Sequence, residues 1–167
     1  IGDRAFFRCH SLTNFTITDS ITSMGSEAFY WCTNLTSVVI GSSVTNIGDN
    51  AFDNCFHLNN ITIPGCVNSI GEEAFSDCTS LTSVTIGDGV ISIGASAFSF
   101  CNLTAVTIPD SVTSIGVRAF YCCTELATVV IGNGVTNIGN SAFETCGFLT
   151  SVTIGNGLAT TIGNRAF

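Results

Sequence analysis

Apolar residues recur along the whole chain with a period of about 23 residues. An Ile-Gly pair, once Met-Gly, opens each period, and successive pairs are 23, 23, 23, 23, 22, 23 and 24 residues apart. The pairs begin at Ile1, Met24, Ile47, Ile70, Ile93, Ile115, Ile138 and Ile162. Self-similarity at a fixed period of this length is typical of solenoids. We therefore predict one solenoid domain over residues 1–167, with about seven repeats and a partial eighth from Ile162.

Each repeat reads IGxxAFxxCxxLTxVTIxxxVTx and combines two kinds of spacing. Its Ala, Phe, Cys and Leu fall at i, i+1, i+4 and i+7, which indicates one face of a short helical or 3-10 segment. The following stretch alternates apolar and polar residues, as in Leu81–Ile86, which indicates a strand. Gly or Pro then turns the chain. The pattern predicts an α/β solenoid, a right-handed coil with a parallel sheet on one face and short helical or 3-10 turns on the other.

The two ends of the sequence lie in the same phase of the repeat, at Ile1-Gly2 and at Ile162-Gly163. Solenoids usually close with atypical capping repeats, so we expect this chain to be a segment of a longer protein. Uncapped coils would also present unpaired strand edges. This favours, as an alternative function, a structural protein whose repeats stack head to tail into a filament or coat.

The strand segment LxxVxI resembles the core of leucine-rich repeats, but the Asn or Cys expected after that core is missing. The segment IGxxAFxxCxxL stands in its place, and with it the chain resembles the BspA-like class of leucine-rich repeats. The resemblance extends over essentially all 167 residues. It implies cell-surface proteins of bacteria and protists that adhere to host matrix proteins or to other cells.

The charge of the chain excludes two classes of partner. The net charge is −8, with four arginines and no lysine. Binding to nucleic acid or to anionic lipid needs clustered basic residues, so we expect neither. No run approaches the ~18 apolar residues of a membrane span, so we expect no membrane insertion of this segment.

The nine cysteines are the strongest candidates for chemistry. Seven of them occupy one repeat position, 22 or 23 residues apart, and no CxxC pair occurs. This spacing indicates a buried column of small apolar side chains rather than disulfides or a metal site. Cys66 and Cys122 lie outside the column. Cys122, at a repeat position that we expect to be exposed, is the best candidate for a reactive thiol.

Other polar residues give no catalytic set. His10 and His57 are the only histidines, two repeats apart, and we expect both in exposed turns. Glu72, Glu73 and Asp77 form the densest acidic group, without the spacing of a calcium loop. We therefore expect no enzyme, no cofactor and no bound metal.

The outward strand positions form the candidate ligand-binding face. They are Thr16, Val39, Thr62, Thr85, Thr107, Val130 and Thr153. Such a neutral row of small residues is either plain β-sheet surface or a broad adhesive surface. Glycosylation sequons, relevant only in a secreting eukaryote, occur at Asn14, Asn34, Asn60 and Asn102.

Together these features favour a non-enzymatic adhesion or protein-binding scaffold that is secreted or held at the cell surface. Its expected partners are matrix or cell-surface proteins, or further copies of itself added head to tail.

Overall fold

The computed structural model describes residues 1–156 and 161–167, and these residues form a solenoid of short parallel strands. In chain order the strands are β1 (Asn14–Ile17), β2 (Ser37–Ile40), β3 (Asn46–Ile47), β4 (Asn60–Ile63), β5 (Ser69–Ile70), β6 (Ser83–Ile86), β7 (Ser92–Ile93), β8 (Ala105–Ile108), β9 (Ser114–Ile115), β10 (Thr128–Ile131), β11 (Asn137–Ile138), β12 (Ser151–Ile154) and β13 (Thr161–Ile162).

Each coil contributes one strand of four residues to one side of the molecule, and each coil after the first contributes one strand of two residues to a separate side. The two-residue strands form one continuous sheet in the order β13-β11-β9-β7-β5-β3. The four-residue strands form what we call the sheet side, in pairs or triplets that are also parallel. Equivalent residues of neighbouring repeats face each other, as Ile47 faces Ile70. The predicted parallel solenoid is confirmed.

Columns of identical side chains fill the interior. Phenylalanines from neighbouring coils stack with ring centroids 4.8 to 5.2 Å apart and ring planes within 11° of each other. Phe75, in the middle of this column, is fully buried, as are Ala74, Cys78 and Leu81 of the same coil. Burial of each large apolar side chain contributes roughly 1.5–3 kcal/mol. The stacked columns therefore hold the coils together.

The predicted helical or 3-10 turns are wrong, because no residue in the described ranges is helical. The segment from Ile-Gly to Leu, which we call the turn segment, consists of successive tight turns instead. Its fourth and eighth residues have positive φ, as do Glu73 (52°) and Asp77 (55°). A left-handed residue at every fourth position interrupts any right-handed helix. These four-residue turns reproduce the spacing that we interpreted as helical.

Backbone hydrogen bonds explain why the turns are preferred. In the third coil, the amides of Asn50, Phe52 and Asn54 donate to carbonyls of the next coil at 2.8 to 2.9 Å. The amides of Asp53 and Cys55 close turns within their own coil, at 3.2 Å each. Successive amides thus donate alternately to their own coil and to the neighbouring coil, whereas in a helix they would donate to carbonyls of the same helix. Within the described residues, no helix is long and apolar enough to cross a membrane.

The glycine of each Ile-Gly pair is required by the close approach of neighbouring coils. A Cβ atom added to Gly94 would lie 2.6 Å from the carbonyl carbon and oxygen of Gly71 in the preceding coil. Only a residue without a side chain fits at that distance.

Candidate functional site

The seven predicted ligand-face residues occupy the third position of the seven four-residue strands, and all are exposed. The pairing aligns Thr16 with Val39, Thr62 with Thr85, and Val130 with both Thr107 and Thr153. Val39 is the most exposed apolar member, at 56%. The structure therefore places these residues in one row along the sheet side.

Two prolines interrupt this side of the solenoid. The residue that follows the four-residue strand is Gly in four coils, and at Gly87, Gly132 and Gly155 its amide donates to the preceding coil. Gly87 donates to the carbonyl of Ile63 and Gly132 to that of Ile108, each at 2.9 Å. Pro64 and Pro109 follow β4 and β8 and have no N–H to donate. The same bond therefore cannot form to the preceding coil at these two positions.

The sheet is open at both proline coils. The described strands β2 and β4 do not pair, and neither do β6 and β8. Just before β4, the amide of Asn59 lies 3.4 Å from the carbonyl of Thr36. The equivalent bond from Ala127 to Thr104, between paired strands, is 2.9 Å long. A Cβ atom at this position of other coils would lie 2.5 to 2.6 Å from the preceding coil, as at Gly87 and Gly132. The proline ring and the missing N–H thus both separate the strands along their length.

A shallow groove lies at each opening. The groove between β6 and β8 has a volume of about 360 Å³ and is lined by Thr85, Thr107 and Pro109 among others. The groove between β2 and β4 measures about 310 Å³ and includes Val39 and Pro64. Both lie at the small end of the size range of ligand pockets. Both interrupt the predicted row.

The outward residues of the turn segments form a third side, which we call the turn side. All four arginines, the one tryptophan and both tyrosines of the chain lie in turn segments. Two of the arginines form ion pairs, Arg4 with Glu27 at 2.8 Å and Arg165 with Glu144 at 3.6 Å. The hydrogen bonds and charge of Glu27 raise the pKa of Arg4, and Arg4 lowers the pKa of Glu27.

Aromatic rings and arginines cluster on the turn side of the first three coils, where Arg4 also lies 5.6 Å from the ring centroid of Phe7. We call Phe7, Arg8, Tyr30, Trp31 and Phe56 the aromatic–arginine patch. Phe7 stacks on Tyr30 with centroids 5.3 Å apart, and Trp31 meets Phe56 edge-on at 5.7 Å. The guanidinium of Arg8 lies 5.2 Å from the ring centroid of Phe7 and 5.7 Å from that of Trp31. Cation–π contacts of this length hold the arginine side chain in place.

The acidic group of the turn side differs from the one that the sequence indicated, because the charges of Glu73 and Asp77 act on Asp53, and no such effect of Glu72 on Asp53 is found. Asp53 is only 6% exposed and accepts a 2.9 Å hydrogen bond from Asn54. Burial, reinforced by the nearby charges of Asp77 and Glu73, raises the pKa of Asp53 to about 7. Among the described residues, no group of three or more His, Cys, Asp or Glu side chains could hold a metal ion.

The column cysteines have a structural role that their spacing did not reveal. The Cys78 thiol donates to the carbonyl of Phe52 in the preceding coil at 3.2 Å, and five other column cysteines repeat this bond. Burial raises the pKa of the Cys32 and Cys146 thiols to about 11, so they remain protonated donors. All nine cysteines are free thiols.

Three cysteines are not fully buried, and their exposure differs in part from the expected exposure. Cys9, the first member of the column, is exposed. Cys122 is partly buried rather than exposed, as is Cys66. The expected full exposure of Cys122 is therefore wrong, and its reactivity stays a prediction.

The two histidines are brought together around one residue of the intervening coil. Nδ1 of His10 lies 3.2 Å from the hydroxyl oxygen of Thr33, and Nδ1 of His57 lies 2.6 Å from its carbonyl oxygen. Both histidines are exposed, as expected. The carbonyl contact requires the His57 ring N–H as donor.

Sequence reasoning missed the grooves and the aromatic–arginine patch. The signal for the grooves was a proline at the end of an internal strand, which removes a ladder hydrogen bond. The signal for the patch was the concentration of aromatic and arginine residues in the outward turn positions of the first repeats.

Comparison with known families places the sequence in one of them. The profile described as BspA type leucine rich repeat region matches six copies, over residues 1–115 and 45–167. A comparison with curated proteins found no match.

Solved structures of bacterial leucine-rich repeat proteins resemble the chain. The T. pallidum leucine rich repeat protein is 29% identical, with a TM-score of 0.70 over 98% of this chain. A leucine rich cell surface protein of Faecalibacterium prausnitzii is 30% identical, with a TM-score of 0.61 over 98% of this chain. The chain spans 65% and 64% of these two proteins. The Pneumococcal vaccine antigen PcpA shares the fold, at 20% identity and a TM-score of 0.63, over 86% of this chain and 51% of its own.

Proposed function

Because the chain belongs to the BspA-type leucine-rich repeat family, we propose that it acts at the cell surface as a non-enzymatic adhesion scaffold that binds protein ligands. The 30% identical protein of F. prausnitzii is described as a cell surface protein, which supports this location. Function in repeat folds depends on the exposed positions rather than on the architecture. The proposal therefore rests on a specific surface of this chain.

The observation that carries the proposal is the exposed row on the sheet side, interrupted by two grooves. The row supplies a long surface free of charged side chains at its central positions, from Thr16 to Thr153. Val39 and Thr107 border the two grooves, where a side chain of the ligand can insert. Insertion into a groove excludes water from both partners, which a flat row alone does not achieve.

Binding of the purified chain to immobilised host matrix proteins and to whole cells tests the proposal. The double variant Val39→Lys/Thr107→Lys places a charge in both grooves. Asn46→Lys/Asn137→Lys is the matched control, because it adds the same charge at exposed positions on the two-residue strands. We expect saturable binding that falls at least about tenfold in the groove variant and stays unchanged in the control, as for loss of central interface contacts.

Absence of saturable binding to any matrix protein or cell surface would contradict the adhesive function. Equal losses in the two double variants would contradict its assignment to the sheet side, because they would reflect added charge rather than position.

A further inference from the structure

The aromatic–arginine patch is not explained by the requirements of the fold. The inner columns are complete without it, since the patch residues point outward from the turn segments. The corresponding positions of the next two coils hold Asp53 and Asn54, then Ser76 and Asp77, without any change in the backbone path. The fold therefore does not require aromatic residues or arginine at these positions.

Trp31 occupies a position that its own backbone disfavours. Its φ is 58°, in the left-handed region, where bulky residues are uncommon. Asn54, at the same position of the next coil, has a φ of 60° and is a residue type that tolerates this conformation. A tryptophan at this position is therefore less favourable for the stability of the fold than an asparagine.

Although the chain has a net charge of −8, the positively charged Arg8 has no carboxylate partner among the described residues. Its guanidinium is exposed and contacts the rings of Phe7 and Trp31, and within residues 1–156 and 161–167 it forms no ion pair. The carboxylate of Glu27, in the next coil, accepts two hydrogen bonds from Arg4, at 2.8 and 2.9 Å. The donors of Arg8 therefore remain available to an anion from outside the chain.

We propose that the aromatic–arginine patch docks a segment of a partner protein that carries a single carboxylate beside an apolar side chain. The carboxylate pairs with Arg8, whose planar guanidinium suits bidentate binding. The apolar side chain packs against Trp31 and Phe56. Tryptophan, tyrosine and arginine are the residues that contribute most to protein interfaces, and the patch contains all three.

The acidic group of the turn side limits the partner to an isolated carboxylate. Asp53 lies in the same coil as Phe56, and Glu73 and Asp77 follow in the next coil. A partner with a run of acidic residues would meet these like charges as it extended along the turn side. The proposal thus specifies the partner by chemistry, and it stands independently of the adhesive function assigned to the sheet side.

The fluorescence of Trp31 provides the test, since it is the only tryptophan in the chain and lies within the patch. The full chain is titrated with the peptide acetyl-Phe-Glu-Phe-Gly-amide and, as a control, with acetyl-Phe-Gln-Phe-Gly-amide. We expect a saturable change of emission with the glutamate peptide and binding at least about tenfold weaker with the glutamine peptide, the loss expected for one charge-assisted contact. Higher salt should weaken only the glutamate peptide.

Two variants separate a specific site from general changes. Arg8→Gln should bind the glutamate peptide at least about tenfold more weakly. Arg118→Gln, which removes the same charge from an exposed turn position outside the patch, should bind it as the parent chain does. Near-ultraviolet circular dichroism of Arg8→Gln verifies that the rings keep their arrangement.

Equal affinity for the two peptides, or undiminished binding by Arg8→Gln, would overturn the proposal. Absence of any emission change up to millimolar peptide would also overturn it. An emission change produced by concentrating the chain alone would assign the patch to a second copy instead, and a change with a neutral oligosaccharide but not with the peptide would assign it to a glycan. Retention of peptide binding by a chain that binds no matrix protein would separate this proposal from the adhesive function.

Discussion

The sheet side and the turn side are built on the same coils and the same inner columns, yet their outward residues differ in kind. The sheet side repeats Thr or Val at the centre of every strand. The turn side varies from coil to coil, from the aromatic–arginine patch to the acidic group around Asp53. The inner lining fixes the fold equally for both. The difference therefore shows where the sequence was free to acquire distinct binding chemistry.

Backbone conformation accounts for this difference. On the sheet side, each outward residue lies beside its counterparts in the neighbouring strands, so β-branched residues are favoured at every coil. On the turn side, the fourth and eighth residues of each segment have positive φ. Their side chains are exposed or partly exposed, and residues as different as Arg8, Asn54 and Phe100 occupy equivalent positions.

The largest expected effect comes from removing the lining that both sides share. Phe75→Ala deletes a fully buried ring stacked between Phe52 and Phe98, at 5.2 and 5.1 Å. Such a cavity should lower the free energy of unfolding by about 3–5 kcal/mol. Urea unfolding followed by circular dichroism measures it. The outward Phe100→Ala, 44% exposed, is the control and should cost less than about 1.5 kcal/mol. Similar losses in the two variants would contradict the division into inward and outward residues.

The next effect concerns the proline openings of the sheet side. Gly132→Pro removes the 2.9 Å bond to Ile108 and also places a Cβ atom 2.6 Å from backbone atoms of Pro109 and Asp110, so it should separate β8 from β10. Its cost should exceed the value of about 1–3 kcal/mol that is expected for the lost bond alone. The reverse change, Pro109→Gly, supplies an N–H to Ile86 and should close the groove between β6 and β8. Its net gain should be at most about 1 kcal/mol, because glycine makes the unfolded chain more flexible. Hydrogen exchange of the flanking strands should be faster in Gly132→Pro and slower in Pro109→Gly, and urea unfolding measures the free-energy change of each variant. Faster exchange in Pro109→Gly would refute the assigned cause of the opening.

The third effect tests the buried acid of the turn side. The folded pKa of Asp53, about 7, is above its value in the unfolded chain. The protonated acid therefore stabilises the fold fully below about pH 4, and this contribution is lost as the pH rises through about 7. Asp53→Asn should thus exceed the parent chain in stability by about 1–4 kcal/mol at pH 8 and match it at pH 4. Thermal unfolding at the two pH values measures the difference, and exposed Asp88→Asn should change little. A variant that is less stable at pH 8 would show that ionised Asp53 is favourable.

The smallest effect compares two cysteines of the turn segments. Cys78→Ala removes an inward thiol and its 3.2 Å hydrogen bond to Phe52, and should cost about 1–2 kcal/mol. Cys122→Ala, at a partly exposed outward position, should cost less than about 0.5 kcal/mol. Urea midpoints give both values. If Cys122 proved the more costly of the two, the inward column would not be the reason for cysteine at this repeat position.

The sequence was sufficient to predict the architecture because its inward residues repeat. The Ile-Gly, Ala-Phe, Cys and Leu positions specified the stack, and the register of Ile47 on Ile70 follows from the 23-residue spacing. The helical turns were predicted wrongly because successive four-residue turns give the same i, i+4 spacing as a helix. Periodicity alone does not distinguish the two, since it contains no information about the sign of φ.

The candidate surfaces were harder to predict because they depend on departures from the repeat. Pro64 and Pro109 replace a glycine at a turn position, and we therefore interpreted them as turn residues. The sequence alone did not show that the glycine N–H at this position donates a hydrogen bond to the preceding coil. Arg8 and Trp31 are eight residues into different repeats, and only stacking of the coils brings the guanidinium to 5.7 Å from the ring. Such contacts between coils are invisible in any single repeat.

The most direct test of the sheet side as the ligand-binding surface is hydrogen–deuterium exchange of the full chain, free and saturated with an adhesive protein ligand. We predict that exchange slows in β2, β4, β6 and β8, the strands that border the two grooves, and does not change in the turn segments of the same coils. Slowing confined to the turn segments at residues 24–35, 47–58 and 70–81, with these four strands unchanged, would contradict it.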